Sequence, residues 1–167
     1  MLKMLQRNER GIRKMSTTIR PTELVIDGAY ADRAVKAIND AQTDIRICAY
    51  DWRWYDGNPE ISIQRLNIAI IKAVKRGLRV KALVNSEQNY LILKALGVDC
   101  RFVGSERILH VKAISVQETC LLIGSHNMTK RANSANYEAS VIIFEPDVII
   151  QFNEYFDNIW EYSQGGF

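Results

Sequence analysis

The chain has 167 residues, of which 47% are hydrophobic and 25% charged, and its formal net charge is +3. This length and apolar content predict one compact soluble domain and exclude a disordered chain, which would lack the apolar residues to form a core. No apolar run approaches the roughly 18 residues that span a bilayer, and the basic N-terminus lacks the apolar core of a signal peptide. We therefore expect a cytoplasmic protein without stable membrane association.

Cysteine and histidine are scarce. The three cysteines, Cys48, Cys100 and Cys120, show no paired spacing, which predicts reduced, buried thiols rather than disulfides or a metal site. The two histidines are His110 and His126, so a metal cluster of several histidines within the chain is not expected.

Positive charge is concentrated at the start of the chain. Residues 1–20 carry a net charge of +5, and the remaining residues together carry −2. This stretch could be an arm that contacts nucleic acid, but we favour a solvated leader. The sequence thus predicts a basic N-terminal extension over residues 1–20 and a single domain over residues 21–167.

From Pro21 the hydrophobic pattern becomes regular. The first half predicts strands at 22–27, 44–50, 78–85 and 98–103, alternating with helices at 30–42, 61–76 and 87–96. The second half predicts strands at 108–117, 119–123 and 138–144 with short, partly antiparallel connections, and a closing helix at 147–162. We expect an α/β fold with a mixed, mainly parallel β-sheet flanked by helices on both faces.

Polar residues with chemical potential follow one another on the predicted strands of the second half. His110 and Lys112 are two residues apart, so the alternation of a strand places both side chains on one face. Because burying an unpaired ammonium is costly, this face is expected to meet solvent or an anion. Gly124, Ser125 and Asn127 end the next strand, where glycine permits close backbone approach. Taken singly, each fits a structural histidine or an ordinary polar turn.

Together these residues form a recognisable pattern. His-x-Lys, four residues, an acid, six residues and then Gly-Ser-x-Asn is the signature that the chain resembles, that of the phospholipase D superfamily. Glu138, in the sequence Asn-Tyr-Glu, is similar to the Asn-x-Glu segment of the single-motif bacterial nucleases of that superfamily. The resemblance covers residues 22–163 and implies a phospholipase D-like fold. Gln117 departs from the pattern, because it keeps hydrogen-bonding capacity but lacks the charge of the family's aspartate.

The resemblance implies a catalytic role for each residue. His110 would attack the phosphorus of a phosphodiester and form a covalent phosphohistidine intermediate. Lys112 and Asn127 would stabilise the non-bridging oxygens, and Ser125 would add a hydrogen bond. Glu138 would orient and charge-balance a motif histidine, although a surface ion pair is the simpler alternative. This scheme requires no metal and no other cofactor.

The scheme needs two histidines, one to attack and one to protonate the leaving group, whereas this chain holds one copy of the motif. A two-fold homodimer that places two His110 side chains face to face supplies the second. His126 is the rival acid within the same chain. We expect His126 to line the pocket and contact the substrate instead.

Basic and aromatic side chains near the motif indicate the substrate. Lys130 and Arg131 directly follow the motif and suit a polyanionic backbone. In the loop after the second predicted strand, Trp52, Trp54 and Tyr55 could stack on bases while Arg53 contacts phosphate. The same aromatic residues could instead pack in a dimer interface.

The leading hypothesis is a metal-independent endonuclease that hydrolyses nucleic acid, DNA in the first place, in a homodimeric active site. A phospholipid phosphodiesterase is the alternative within enzymes, and it would need an apolar surface for docking to a membrane. A nucleic-acid-binding member whose catalysis is weakened by Gln117 is the alternative outside them.

Overall fold

A computed structural model of the chain describes residues 21–55, 58–104 and 107–163. The predicted N-terminal extension, residues 1–20, lies outside the described residues. The strands are β1 (Glu23–Ile26), β2 (Asp44–Ala49), β3 (Arg79–Val84), β4 (Asp99–Phe102), β5 (Ala113–Val116), β6 (Cys120–Gly124) and β7 (Ala139–Ile143). The helices are α1 (Ala29–Asp40), α2 (Ser62–Lys75), α3 (Glu87–Ala95) and α4 (Pro146–Tyr162), with a short 3₁₀ helix at Arg131–Asn133.

The strands form one sheet in the order β1-β7-β6-β5-β2-β3-β4. The mixed α/β fold is thereby confirmed. The balance of strand directions differs from the expectation: β2–β3 and β3–β4 are parallel, but the other four pairings are antiparallel. The reason is that β1 pairs with β7 at the far side of the sheet, so the β1-α1-β2 connection joins strands that are not neighbours.

Helices cover both faces of the sheet, as predicted. α1, α2 and α3 pack on one face, where Ile38, Ile70 and Leu93 enter the larger core cluster. α4 packs on the other face through Ile149, Phe152 and Phe156, whose spacing of three and four residues places them on one side of the helix. Within the described residues, no helix combines the length and the apolar character needed to cross a membrane.

One end of the sheet collects the motif residues. β2, β3 and β6 end there, while β5 and β7 begin there; we call it the site end. β5 begins only at Ala113, which pairs with Cys48 of β2, so residues 110–112 lie just before the strand rather than within it. Because the sheet fixes the backbone of each strand, side chains at strand ends are held in precise positions, as a functional site requires.

Candidate active site

Tyr50 brings His110 and Lys112 together at the site end. Its ring packs edge-on against the exposed ring of His110, with 4.6 Å between centroids and an interplanar angle of 63°. Lys112 Nζ lies 4.6 Å from the centroid of the same tyrosine ring and donates a hydrogen bond of 2.9 Å to the carbonyl oxygen of His110. The motif's imidazole and ammonium groups therefore share one aromatic support.

Lys112 is buried, although we expected its face to meet solvent or an anion. Burial lowers the pKa of Lys112, and the nearby carboxylate of Glu138 partly offsets that effect. An ammonium held in this way gains from an anionic partner, because its desolvation has already been incurred in the folded chain.

Asn85 fixes the backbone just before His110. It follows β3, and its side-chain amide donates to the carbonyl oxygen of Leu109 at 2.6 Å and accepts from the amide of Leu109 at 2.9 Å. This pair of hydrogen bonds anchors the backbone immediately before residues 110–112, which precede β5. It holds the exposed histidine on a defined backbone.

Glu138 is tied to the Gly-Ser-His-Asn segment. The hydroxyl of Ser125 donates to one carboxylate oxygen of Glu138, and Asn136 Nδ2 donates to the other at 2.9 Å. Burial raises the pKa of Glu138, but these two hydrogen bonds, with His126 and Lys112 nearby, outweigh that effect and lower the pKa. Glu138 is therefore an ionised carboxylate that positions Ser125 and faces Lys112.

Close packing of β6 against β7 sets this geometry. A side chain built on Gly124 would meet the Oγ and Cα atoms of Ser140 and the carbonyl oxygen of Ala139. The amide of Ser125 donates to that same carbonyl at 3.0 Å. Asn127 lies at the end of this segment, and its Oδ1 atom is buried with no hydrogen-bond partner in the described part of the chain.

His126 occupies the core, which corrects its assignment to the substrate-binding residues. Its Nδ1 lies 2.7 Å from the Ser140 hydroxyl, and its Nε2 lies 2.9 Å from the carbonyl oxygen of Asp27. The ring stacks on Tyr30 with 4.6 Å between centroids. Burial lowers the pKa of His126, although Asp27 and Glu138 partly counteract it. A buried imidazole with both nitrogens engaged has no atom left to contact substrate.

Gln117 lies away from these groups. It occupies the β5–β6 turn with a φ of 53°, and its Oε1 accepts a hydrogen bond of 2.9 Å from the Thr43 hydroxyl. The five residues from Lys112 to Gln117 extend about 16 Å along the strand direction. The departure from the family pattern therefore concerns a turn at the opposite end of β5.

The two tryptophans of the loop after β2 stack on each other, but they differ in burial. Trp52 is fully buried and donates from Nε1 to Asn67 at 2.7 Å, so the prediction that it stacks on a base is wrong. Trp54 is half-buried and stacks on Trp52 with 5.9 Å between centroids. Arg53 pairs with Asp51 at 2.9 Å. Because its side chain is exposed, an anion could still reach it.

Lys130 and Arg131 lie on the surface beside the motif. Both are exposed, and the amide of Lys130 donates to the Tyr55 hydroxyl at 2.9 Å, which joins this segment to the loop after β2. Arg131 Nε donates to Asn136 Oδ1 at 3.2 Å, next to the residue that holds Glu138. Two cations thus border the carboxylate end of the site.

Sequence reasoning missed the residues that support the motif. Tyr50, Asn85 and Asp27 each follow the last residue of a strand at the site end, and Asp27 also accepts from the backbone amide of Glu138 at 2.9 Å. Their position at strand ends is the one signal that could have identified them. Among the described residues, no group of three or more His, Cys, Asp and Glu side chains is arranged to hold a metal ion.

An exposed imidazole, a buried ammonium and a serine–carboxylate pair on this mixed sheet define a phospholipase D-like site. The family model described as "Cardiolipin synthase, PLD-like domain" matches residues 34–160. The chain therefore belongs to the phospholipase D superfamily, a superfamily of phosphodiesterases.

The individual proteins to which the chain is similar share 25% sequence identity with it or less. A mitochondrial cardiolipin hydrolase from Mus musculus is 24% identical over 147 residues, which cover 84% of this chain and 62% of that protein. The chain thus spans less than two thirds of this curated relative. Nuc from Salmonella typhimurium has a TM-score of 0.71 at 25% identity, over 86% of this chain and 97% of that one. NucT from Helicobacter pylori also has a TM-score of 0.71, at 17% identity over 88% and 99% of the two chains.

Proposed function

We propose that the protein is a metal-independent nuclease that hydrolyses phosphodiester bonds of nucleic acid, DNA in the first place. The observation that carries the proposal is the exposed His110 beside the buried Lys112, both held by Tyr50. Similarity to Nuc and NucT, which are small enough for this chain to cover almost their whole length, supports the nuclease branch of the superfamily.

The reaction has two steps. An imidazole nitrogen of His110 attacks the phosphorus, a nitrogen–phosphorus bond forms, and the bond to the leaving oxygen breaks as that oxygen takes a proton. Water then attacks the phosphorus, gives its proton to the same general acid, now a base, and breaks the nitrogen–phosphorus bond. Lys112 and Asn127 stabilise the negative charge on the non-bridging oxygens in both steps.

The proton donor is His110 of a second copy. The sequence contains two histidines, and His126 is buried with both nitrogens engaged. His110 is exposed at the surface of the site end, where a two-fold axis can bring two such side chains together. Each chain then supplies one half of the active site.

Exposed cations favour a polyanionic substrate. Arg53, Lys130 and Arg131 are exposed on segments joined through the Tyr55 hydroxyl, so a phosphate backbone could follow them past the motif. Phospholipid hydrolysis is the second candidate. The name of the Mus musculus relative and the exposed side chains of Leu24 and Ile26 favour it.

The test is incubation of wild type with plasmid, single-stranded DNA, RNA and cardiolipin vesicles in excess EDTA. We expect cleavage of nucleic acid that persists in EDTA, and its loss in His110→Ala but not in Asn158→Ala, an exposed position on α4. Cleavage of vesicles alone would replace the nuclease with a lipid phosphodiesterase. Loss of activity in EDTA would contradict the metal-independent mechanism.

Subunit mixing tests the shared site. Co-expression of wild type with His110→Ala in equal amounts produces mixed dimers that hold one histidine, and these should be inactive. Total activity should then fall to about one quarter, the fraction of intact dimers under random pairing. Activity that falls only to half would mean that each chain works alone.

A further inference from the structure

A cleft lies beside the site end, between the loop after β2 and the first two turns of α3. Its volume is about 210 Å³. Pockets for drug-sized ligands begin at about 300 Å³, so this cleft is sized for one ring system rather than an extended ligand. We call it the Trp54 cleft, and the residues that line it include Asp51, Arg53, Trp54, Ser86, Gln88 and Ile92.

The Trp54 cleft adjoins the catalytic groups. Asp51 lines the cleft and also borders a small gap at the site end that Lys112 and Asn127 line. In the α3 wall, Ser86 directly follows Asn85, which holds the backbone before the proposed nucleophile. A strand bound at the motif would therefore present a neighbouring nucleotide to the cleft.

The walls of the cleft are held in place by the protein itself. Trp54 stacks on the buried Trp52 with 5.9 Å between ring centroids. Asn89 joins the two walls, because its side-chain amide donates to the carbonyl oxygen of Trp52 at 2.9 Å. The Ser86 hydroxyl caps α3 by accepting from the backbone amide of Asn89 at 3.3 Å. A preformed cleft loses little conformational entropy when a ligand binds.

The lining groups suit a flat ring with polar edges. Trp54 is half-buried with one side on Trp52, so the rest of its ring offers an aromatic surface. Gln88 and Ile92 are four residues apart and therefore lie on one side of α3. Ile92 adds an apolar contact, while the exposed amide of Gln88 carries both a hydrogen-bond donor and an acceptor.

Other ligand classes fit the Trp54 cleft less well. A phosphate inside it would meet the carboxylate of Asp51, which already pairs with Arg53 at 2.9 Å. An acyl chain would cover the polar groups of Ser86 and Gln88, and burying such groups without hydrogen bonds is costly. A nucleobase has a face that stacks on an aromatic ring and edges that bond to amides.

We infer that the Trp54 cleft binds one nucleobase of the substrate, next to the phosphodiester that His110 attacks. The inference rests on the proposed function, because it needs a nucleic acid strand at the motif. The base stacks on Trp54, and the side-chain amide of Gln88 bonds to its edge. A base inside a duplex offers neither its face nor its pairing edge, so the cleft takes an unpaired base and discriminates among bases beside the cut.

The binding experiment uses the His110→Ala protein, so that the nucleic acid stays intact. The probes are a fluorescent single-stranded DNA oligonucleotide and an abasic oligonucleotide of the same length and charge, with Kd measured by anisotropy. Added Trp54→Ala should raise the Kd for DNA about fivefold to 150-fold, and added Gln88→Ala about threefold to tenfold. The Kd for the abasic probe should stay within about twofold.

Two controls accompany these variants. Gln151→Ala removes a glutamine that is exposed on α4, and it should change neither Kd. Because Trp54 packs on Trp52, circular dichroism checks the folding of Trp54→Ala. If that variant does not fold, Gln88→Ala decides the question, since Gln88 is exposed on its helix.

Cleavage of single-stranded DNA of random sequence measures discrimination among bases. Sequencing of the product ends should show an unequal base preference at one position beside the cut for wild type, and Gln88→Ala should flatten it. Identical end preferences in the two proteins would overturn the assignment of Gln88.

The remaining outcomes separate this inference from the proposed nuclease. Cleft variants that weaken the DNA and the abasic probe equally, or neither, would overturn the base site even if wild type cleaves DNA. Base-dependent loss of binding, in a protein whose wild type cleaves no phosphodiester, would support the cleft and contradict the nuclease. A His110→Ala protein that binds neither probe would overturn the inference, while cleavage by wild type decides the nuclease separately.

Discussion

Asn85 holds Leu109 through both the donor and the acceptor of its side-chain amide, at 2.6 and 2.9 Å. Leu109 precedes His110, so a side chain at the end of β3 sets the backbone from which the proposed nucleophile projects. The parallel half of the sheet thereby positions a residue that belongs to the antiparallel half.

Asn85→Ala should lower kcat more than it raises KM. Removing the amide frees the backbone of His110, and misplacement of a reacting group by about 1 Å can cost about 100-fold in rate. Steady-state kinetics on DNA, with Asn158→Ala as the control, measure the effect. Asn85 is a positioning residue, so a change in KM alone, or a melting temperature that falls in step with activity, would contradict this role.

His126 should make stability depend on pH. Burial lowers its pKa from the ordinary value of 6.5, so the unfolded chain binds this proton at a pH where the folded chain does not. The contribution of this shifted pKa to the free energy of unfolding is complete above pH 6.5, and it is lost as the pH falls below that value. Urea unfolding of wild type and His126→Gln, from about pH 5 to about pH 8, checks this. The glutamine variant should be less stable at pH 8 with a flatter profile; parallel profiles would refute the prediction.

Gln117→Asp should leave activity within about twofold of wild type, because the side chain lies in the β5–β6 turn rather than at the site. Lys112→Met, by contrast, should remove most activity by deleting the buried ammonium. Comparing kcat/KM for the two variants on one DNA substrate is sufficient. A large gain from Gln117→Asp would instead revive the hypothesis of catalysis weakened at this position.

Cys48 and Cys100 should resist thiol reagents in the folded protein. Burial raises the pKa of each thiol to about 12, so neither forms the reactive thiolate near neutral pH. Alkylation followed by peptide mass spectrometry should detect modification of these two residues in urea but not under native conditions. Rapid native labelling of Cys48 would mean that β2 opens to solvent.

Local sequence patterns predicted most of the fold. Most helix and strand positions agree with the structure within one or two residues, because amphipathic spacing reflects which side faces the sheet. The exception is the strand predicted at 108–117, which begins only at Ala113, so the prediction that His110 and Lys112 lie on a strand is wrong. The position of β1 beside β7 could not be derived, since strand order depends on contacts between distant segments. For the same reason Trp52 and His126 were misjudged: their residue types suit a binding surface, and only tertiary packing decides that both are buried.

The supporting residues were harder to predict than the motif itself. The order of His110, Lys112, Ser125, Asn127 and Glu138 is visible along the chain. The contacts that Tyr50 and Asn85 make with that motif span 60 and 24 residues, respectively, and leave no local pattern.

Gly124 has a consequence for how the motif can vary. The atoms that crowd it include Ser140 Cα and the Ala139 carbonyl oxygen, which are backbone atoms and so are present whatever residue stands at those positions. No compensating substitution on β7 can therefore make room for a side chain at position 124. A library randomised at position 124 should therefore return glycine alone among active clones.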